Sequence, residues 1–376
     1  MECEPMALPD SSTADHRQNQ LKHLDRLLVQ AVADLQRPPT WAERWLATGR
    51  IVVLGGLLIG GTLLYWTVLN GLWGLAVLPL AGVAYALLLI ATHEMVHGTV
   101  WGLGSLEFGL GCLLGWPMAW PFATYARLHR LHHRWNGRDP RDPERTEILP
   151  SDSHSANPLS HWLHHHPWAS RCLLLGGVGL ILDTTRKGWQ LRTADPKLNG
   201  AQRLDAVGVI LLHAALLCIA SHQGVVPRYL LFWFVLERVI GVIVQYRGLV
   251  EHHGLWHRAD TLAGGAVLPQ RLRQLATSRD VVSGAWWNAL MGGLPHHSTH
   301  HAFPAITTSR LPLASERLHA VLLAQNWPLP SQLGSYAEAL KGGVRTASED
   351  GGRVDTNLPI QGSKGRGEET GMDALK

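Results

Sequence analysis

The hydrophobic positions of this chain fall into two pairs of long runs separated by polar stretches, and that spacing predicts a helical membrane protein. Ile51 to Leu69 carries no charge and is long enough to cross a hydrocarbon core of about 30 Å. After Asn70-Gly71 a second such run continues from Leu72 to Ala91. So short a turn makes the two runs a tight hairpin, and the chain re-emerges at His93 on the side from which it entered. Leu204 to Ser221 and Val226 to Tyr246 repeat the arrangement. Two apolar segments do not fit a crossing. Residues 101–121 carry Glu107, several glycines, Pro117 and Pro121, and read as interfacial or re-entrant. Residues 172–182 number eleven, about 16 Å of helix, and read as a surface helix.

Composition sharpens this picture. The chain has 376 residues, 46% hydrophobic and 16% charged, where a soluble protein carries about a quarter charged. The formal charge of +4 is modest, and its basic residues flank apolar runs, which points to lipid headgroups and away from nucleic acid. Several of the sixteen tryptophans (Trp41, Trp45, Trp66, Trp101, Trp116 and Trp120) lie near the ends of apolar segments, as interfacial indoles do. Four cysteines without paired spacing (Cys3, Cys112, Cys172, Cys218) exclude a disulfide scaffold and any thiolate metal site. The polar first 50 residues argue against a secretory signal.

The apolar positions Leu21, Leu24, Leu27, Leu28, Ala31, Val32 and Leu35 follow a helical period up to Pro38-Pro39. They predict an amphipathic helix, lying on the membrane surface or packed on the protein's own polar part. Residues 1–20 and the glycine- and charge-rich tail read as disordered. The organisation expected is a polar and amphipathic segment over 1–50, a membrane catalytic domain over 51–340 and a disordered tail over 341–376.

Four spans in two hairpins leave both termini and the polar stretches after each hairpin on one face. Arg17, Lys22, Arg26, Arg37, Arg44 and Arg50 precede the first span, and its exit turn is uncharged, which makes that face cytoplasmic. Glu237 and Arg238 sit mid-span, where each costs roughly 2.5–3.5 kcal/mol. As sequence neighbours they point apart. Glu237 is expected either to pair with His213 across the second hairpin or to face a water-filled cavity near the site.

The polar stretches hold the candidate chemistry. His129-Arg130-Leu131-His132-His133 returns as His297-Ser298-Thr299-His300-His301, and His93-Glu94-Met95-Val96-His97 has an i, i+4 spacing. On a helix each box turns its imidazoles to one side, as a metal ion requires. With His252 after the fourth span the boxes supply nine ligands, whereas one zinc needs four at most. Nine suit two metals with open positions, which favours a dinuclear iron centre that activates dioxygen. Glu94, Asp139, Glu251, His253 and His296 adjoin the ligands and are candidates to orient them. His161-Trp162-Leu163-His164-His165-His166 copies the spacing between Asn157-Pro158 and Pro167; a surface or headgroup-facing cluster is the simpler reading. His93-Glu94-x-x-His97 also matches the zinc metalloprotease motif with Glu94 as base, but that leaves the other boxes idle. A non-catalytic metal-binding or transport protein would carry histidines inside its spans.

The boxes, the Asp-Pro element after the second, Glu251-His252 and His300-His301-Ala302-Phe303-Pro304 resemble the membrane-bound fatty acid desaturase and hydroxylase family over roughly residues 51–330. The resemblance implies an all-α integral membrane fold of four transmembrane helices with a helical cytosolic cap. It implies a di-iron site held by His93, His97, His129, His132, His133, His252, His297, His300 and His301. The reaction implied removes hydrogen from an unactivated methylene with dioxygen and two electrons. Acyl-lipid desaturation is the expected activity. Glu251-His252-His253-Gly254 is similar to an element of alkane hydroxylases, so a hydroxylase or ketolase acting on an alkane, fatty acid or carotenoid stays open. No electron-carrying motif is fused to the chain, so a separate donor of ferredoxin or cytochrome b5 type is expected. Arg127, Arg130, Arg134, Arg138, Arg141 and Arg145 would dock it, or simply keep that face positive.

Overall fold

The computed structural model describes residues 11–68, 72–147, 166, 168–191 and 196–342. Helix dominates, with four helices long and apolar enough to cross a bilayer: Trp41–Thr67, Trp73–His97, Asn199–His222 and Val226–His252. In chain order the helices are α1 Ser11–Ala31, α2 Trp41–Leu63, α3 Leu72–His97, α4 Gly104–Gly115, α5 Phe122–Trp135, α6 Gly176–Leu191, α7 Pro196–His222 and α8 Val226–His252. Then follow α9 Arg258–Ala263, α10 Gln270–Thr277, α11 Ala285–Leu290, α12 His297–Ala302, α13 Leu311–Ala324 and α14 Tyr336–Gly342. Two short parallel strands, β1 Arg279–Val281 and β2 Ser331–Leu333, pair Arg279 with Ser331. Hydropathy underestimates the spans. Thr40 and Glu43 form a capping box that starts α2 ten residues before the apolar run, and α3 and α8 continue to His97 and His252. The first histidine box therefore lies on the last turns of a span helix, not beyond it.

Contacts at both ends fix the direction of the hairpins. Near the histidines, Arg50 of α2 pairs with Glu94 of α3; deeper in the bundle, Asp205 of α7 accepts from Trp116 Nε1 at 2.6 Å and Ala123 N at 2.8 Å. At the opposite end Arg228 of α8 donates to the Tyr65 carbonyl and lies over the Tyr65 and Trp66 rings at 4.6 and 5.0 Å. Helix α3 is the centre of the bundle, with 61% of its apolar window buried against 6% for the first span. It meets α8 where a Cβ on Gly82 would lie 2.8 Å from Val239, the close approach that small residues permit. Residues 101–121 do re-enter. Helix α4 descends beside α3 until Tyr85 donates to the Leu114 carbonyl at 2.6 Å, about 18 Å from His97, and α5 climbs back. Glu107 is buried because it caps this element, accepting from the backbone of Val100, Trp101 and Leu103 at 2.9–3.2 Å.

Two expectations fail at mid-depth. The segment expected as a surface helix is wedged against α8 as a helical turn over Trp168–Leu175 followed by α6. Gly176 breaks the two at φ +54, and a Cβ on Gly241 would sit 1.8 Å from Gly177 N. Glu237 does not pair with His213, which instead bonds Tyr229 at 2.8 Å and the Trp116 carbonyl at 3.1 Å. Its carboxylate accepts from the first amides of α6, Gly177 and Val178, at 3.1 Å each. Arg238 pairs with Glu237 despite their adjacency (Nη2 to Oε2 2.8 Å) and donates to the carbonyls of Leu173, Leu174 and Leu175. The acid thus serves the positive start of one helix and the base the negative end of the turn before it. The amphipathic helix, too, packs on the protein and not on the membrane surface. Leu21, Leu24, Leu28, Val32 and Leu35 are buried with Leu272, Leu311, Leu318 and Leu322 of α10 and α13. Residues 11–20, expected to be disordered, are its first turns; Gln18 clamps the Val267 backbone by two 3.0 Å bonds.

Candidate metal centre

Four elements converge where α3 and α8 end. His93 and His97 come from α3, His129, His132 and His133 from α5, His252 from α8, and His297, His300 and His301 from the single-turn-and-a-half α12. Potential ligand atoms of His93, His97, His129, His133 and His300 lie within 4.8 Å of one another. Those of His132, His252 and His301 form a second group, and Glu251, His252 and His297 a third that shares His252. His133 and His301 stack with centroids 4.2 Å apart, joining the groups. All nine sequence-predicted histidines are thus brought together. None of the three boxes is separated from the others by the spans, as the hairpin parity requires.

The outer ring nitrogens show which atoms face inward. His129 Nδ1 meets Glu144 at 3.0 Å, His132 Nδ1 meets both oxygens of Asp142 at 2.9 Å, His252 Nδ1 meets the Thr277 carbonyl at 3.2 Å, and His301 Nδ1 meets Gln274 Oε1 at 2.9 Å. Each partner can only accept, so each Nδ1 carries the proton and each Nε2 turns a lone pair inward. His132 Nε2 then faces His252 Nε2 at 3.3 Å, and His129 Nε2 faces His133 Nε2 at 2.9 Å. In the His132–His252 pair, where both Nδ1 atoms carry the proton, two lone pairs at that distance repel unless a cation lies between them. His93 has both ring nitrogens buried without a hydrogen-bond partner among the described residues, and His97, His300 and His301 each have Nε2 so. These donors fit metal ions. Burial holds His133, His300 and His301 well below the ordinary histidine range, with neighbouring rings adding to it, so their lone pairs are available. His132 is the exception: burial opposes its charge, but Asp142 and Glu144 outweigh it and push the ring up to about 9. That pair favours a positive charge at Nε2.

Of the residues expected to orient ligands, only Glu251 lies among the rings, its Oε2 3.3 Å from His297 Nε2. Asp139 does not reach them, because both its oxygens are taken by Arg141 at 2.7–3.0 Å. The chain turns at Pro140, and Asp142 is the aspartate of the next Asp-Pro pair that meets His132. Glu94 is held by Arg50 and by Thr308 at 3.1 Å. His253 faces Glu147 and Arg171, and His296 faces His319. Asp142, Glu144, Gln274 and Thr277 were not singled out in the sequence; the first two stand in its Asp-Pro stretch, but only the folded loop brings them back to α5. His161, His164 and His165 lie outside the described residues, and His166 is exposed.

The fatty acid desaturase family model matches residues 70–332. The chain belongs to the fatty acid desaturase family. No curated protein matches it. The matched stretch holds all nine histidines and leaves out α1 and α2. Membership of the desaturase family points to an oxidoreductase with a lipid substrate, and the chain has a cavity suited to one. About 980 Å³ in volume, it runs between α3, α6 and α8, past Leu89, Met118, Leu180, Ile181, Ile240 and Val244, to His93, His129, His132, His252 and His297. Its polar part is lined by Arg141, Arg145, Arg171, Arg186 and Lys187 together with Asp142, Glu144, Glu147 and Asp183.

Proposed function

We propose that this desaturase-family protein is a dioxygen-dependent lipid oxidoreductase with a two-iron centre, and that it desaturates acyl chains. The observation that carries the reading is the cavity, whose apolar walls lead directly to the inward-facing nitrogens of the histidine cluster. A methylene chain fits walls of Leu89, Ile181 and Val244 at little desolvation cost, and the basic residues of the polar part suit an anionic headgroup or carrier. Iron bound by such histidines supplies dioxygen activation and removal of hydrogen from an unactivated carbon. The protein's part is to keep water from the buried rings and to fix their orientation through Asp142, Glu144, Gln274 and the Thr277 carbonyl. Two electrons come from a separate ferredoxin- or cytochrome b5-type donor.

The nine histidines serve as the ligands in this reading, with their face and both termini in the cytoplasm. Support for that side is the basic sequence before the first span and its uncharged exit turn. The zinc protease alternative needs Glu94 free to take a proton from a bound water. Glu94 is instead neutralised by Arg50 and hydrogen-bonded by Thr308, and His93 and His97 share their position with three more rings. A hydroxylase or ketolase would use the same cavity and the same first hydrogen removal, and the Glu251-His252-His253-Gly254 element is the feature that favours it.

Lipid profiling of cells that express the protein tests the proposal. The expected result is a new unsaturated acyl species that disappears with His297→Ala. Hydroxylated or keto products lost in the same variant would move the activity to the sister reaction. A profile indistinguishable from the His297→Ala control under an active donor would reject both.

A further inference from the structure

We propose that Glu251 is itself a metal ligand, supplying the fifth donor of the second metal position. The inference rests on the two-metal reading above and adds a carboxylate to it. The nine histidines divide unequally. His93, His97, His129, His133 and His300 form one group of five, and His132, His252, His297 and His301 remain, tied together through His252 and the His297–His301 ring contact at 4.4 Å. Glu251 is the one further donor among the described residues placed to even this count. Its carboxylate joins the ligand atoms of His252 and His297 within 4.8 Å. It can do so although it precedes His252 in sequence, because α8 ends at His252 and both side chains turn into the same space.

The two oxygens of Glu251 are in different situations. Oε1 accepts from Tyr336 Oη at 3.2 Å. Oε2 is buried with no hydrogen-bond partner among the described residues, and its neighbours are His297 Nε2 at 3.3 Å and Arg247 Nε at 3.4 Å. The residue is 0% exposed. A buried carboxylate oxygen without a donor is costly, and a cation between His252, His297 and Oε2 would satisfy it. Tyr336 then holds Oε1 and leaves Oε2 on the metal side, as outer partners do for ligating carboxylates, while Arg247 lies beside Oε2 and balances the carboxylate charge. The consequence is a pair of unequal positions: five neutral imidazoles at one, and four with a hard anionic oxygen at the other. The second favours the more oxidised ion.

Full-length protein loaded with ⁵⁷Fe(II) tests this by metal content and Mössbauer spectroscopy, without reference to turnover. The wild type is expected to bind two irons per chain with two distinct quadrupole doublets of equal area. Glu251→Gln should alter one doublet and leave the other in place, and Glu251→Ala should weaken the second iron at least tenfold, so that content falls toward one. Two irons with wild-type doublets in both variants overturn the assignment of Glu251 alone. Fewer than two irons in the wild type overturn the two-metal reading and this inference with it. Should neither variant fold, a metal-loaded wild-type structure decides: Oε2 within about 2.0–2.2 Å of a metal is expected, and a separation beyond 3 Å overturns the proposal.

Discussion

Asp142 and Glu144 hold the second histidine box from behind, and their effect is separable from that of the aspartate beside them. Asp142 contacts His132 Nδ1 with both oxygens and also accepts from the Glu144 amide at 3.0 Å, so it fixes the ring and the loop together. Losing such a partner weakens metal binding by about 10–100-fold. Asp142→Asn is therefore expected to lower iron affinity by that order in a metal titration, whereas Asp139→Asn, three residues away and engaged only with Arg141, should leave it unchanged. Equal losses in both would put the support in the loop as a whole. The nine histidines were legible at this scale because helix geometry makes i, i+3 and i+4 a shared face whatever the fold. Their supporting carboxylates were not, because a loop returns to a helix by a path that local spacing does not encode. Glu251 was legible as a neighbour of the site, and its depth within it was not.

At the scale of elements, the half-buried break between the Trp168–Leu175 turn and α6 explains the ionisable pair that a span would otherwise exclude. A helix that starts inside the bilayer exposes amides with no water to satisfy them, and Glu237 and Arg238 answer the two ends of that break. The sequence showed eleven apolar residues too short to cross and a separate charged pair too costly to leave alone. It could not join them, since the contact spans some sixty positions. The crossing also depends on absent side chains. Gly241→Ala would place a Cβ 1.8 Å from Gly177 N, which the backbone must move to accommodate, at about 1–3 kcal/mol for overpacking of this kind. Gly56 has nothing within 4 Å of its would-be Cβ, and Gly→Ala within a helix is favourable by roughly 0.5–1 kcal/mol. Thermal unfolding in detergent should thus show Gly241→Ala melting several degrees below the wild type and Gly56→Ala no lower than it. A Gly241→Ala protein that melts with the wild type would mean that α6 and α8 are not packed at this point.

For the whole molecule, the hairpin parity read from the apolar runs had one testable result, that the scattered boxes meet at one end of the bundle, and their gathered ligand atoms agree with it. What hydropathy missed was the layer beyond the spans. Helix α1 buries its leucines on α10 and α13, and an amphipathic stripe does not say whether lipid or protein will cover it. That layer leaves one basic face uncovered beside the site: Arg134, Arg138 and Arg141 are exposed on and just after α5, the helix that carries His129, His132 and His133. If the protein is the donor-dependent oxidoreductase proposed above, their place on the helix of the second histidine box makes them the candidate docking face for an acidic donor. Charge complementarity of this kind acts mainly on association rate and weakens with salt. Arg134→Glu combined with Arg138→Glu and Arg141→Glu is expected to slow reduction by an acidic donor about tenfold at low ionic strength, to flatten its salt dependence, and to leave iron content unchanged. Stopped-flow reduction at two salt concentrations, with metal analysis of the same samples, separates the cases. An unaltered rate would reserve these charges for orientation in the membrane, and lost iron would trace the effect to the His129–His133 helix itself and not to the donor.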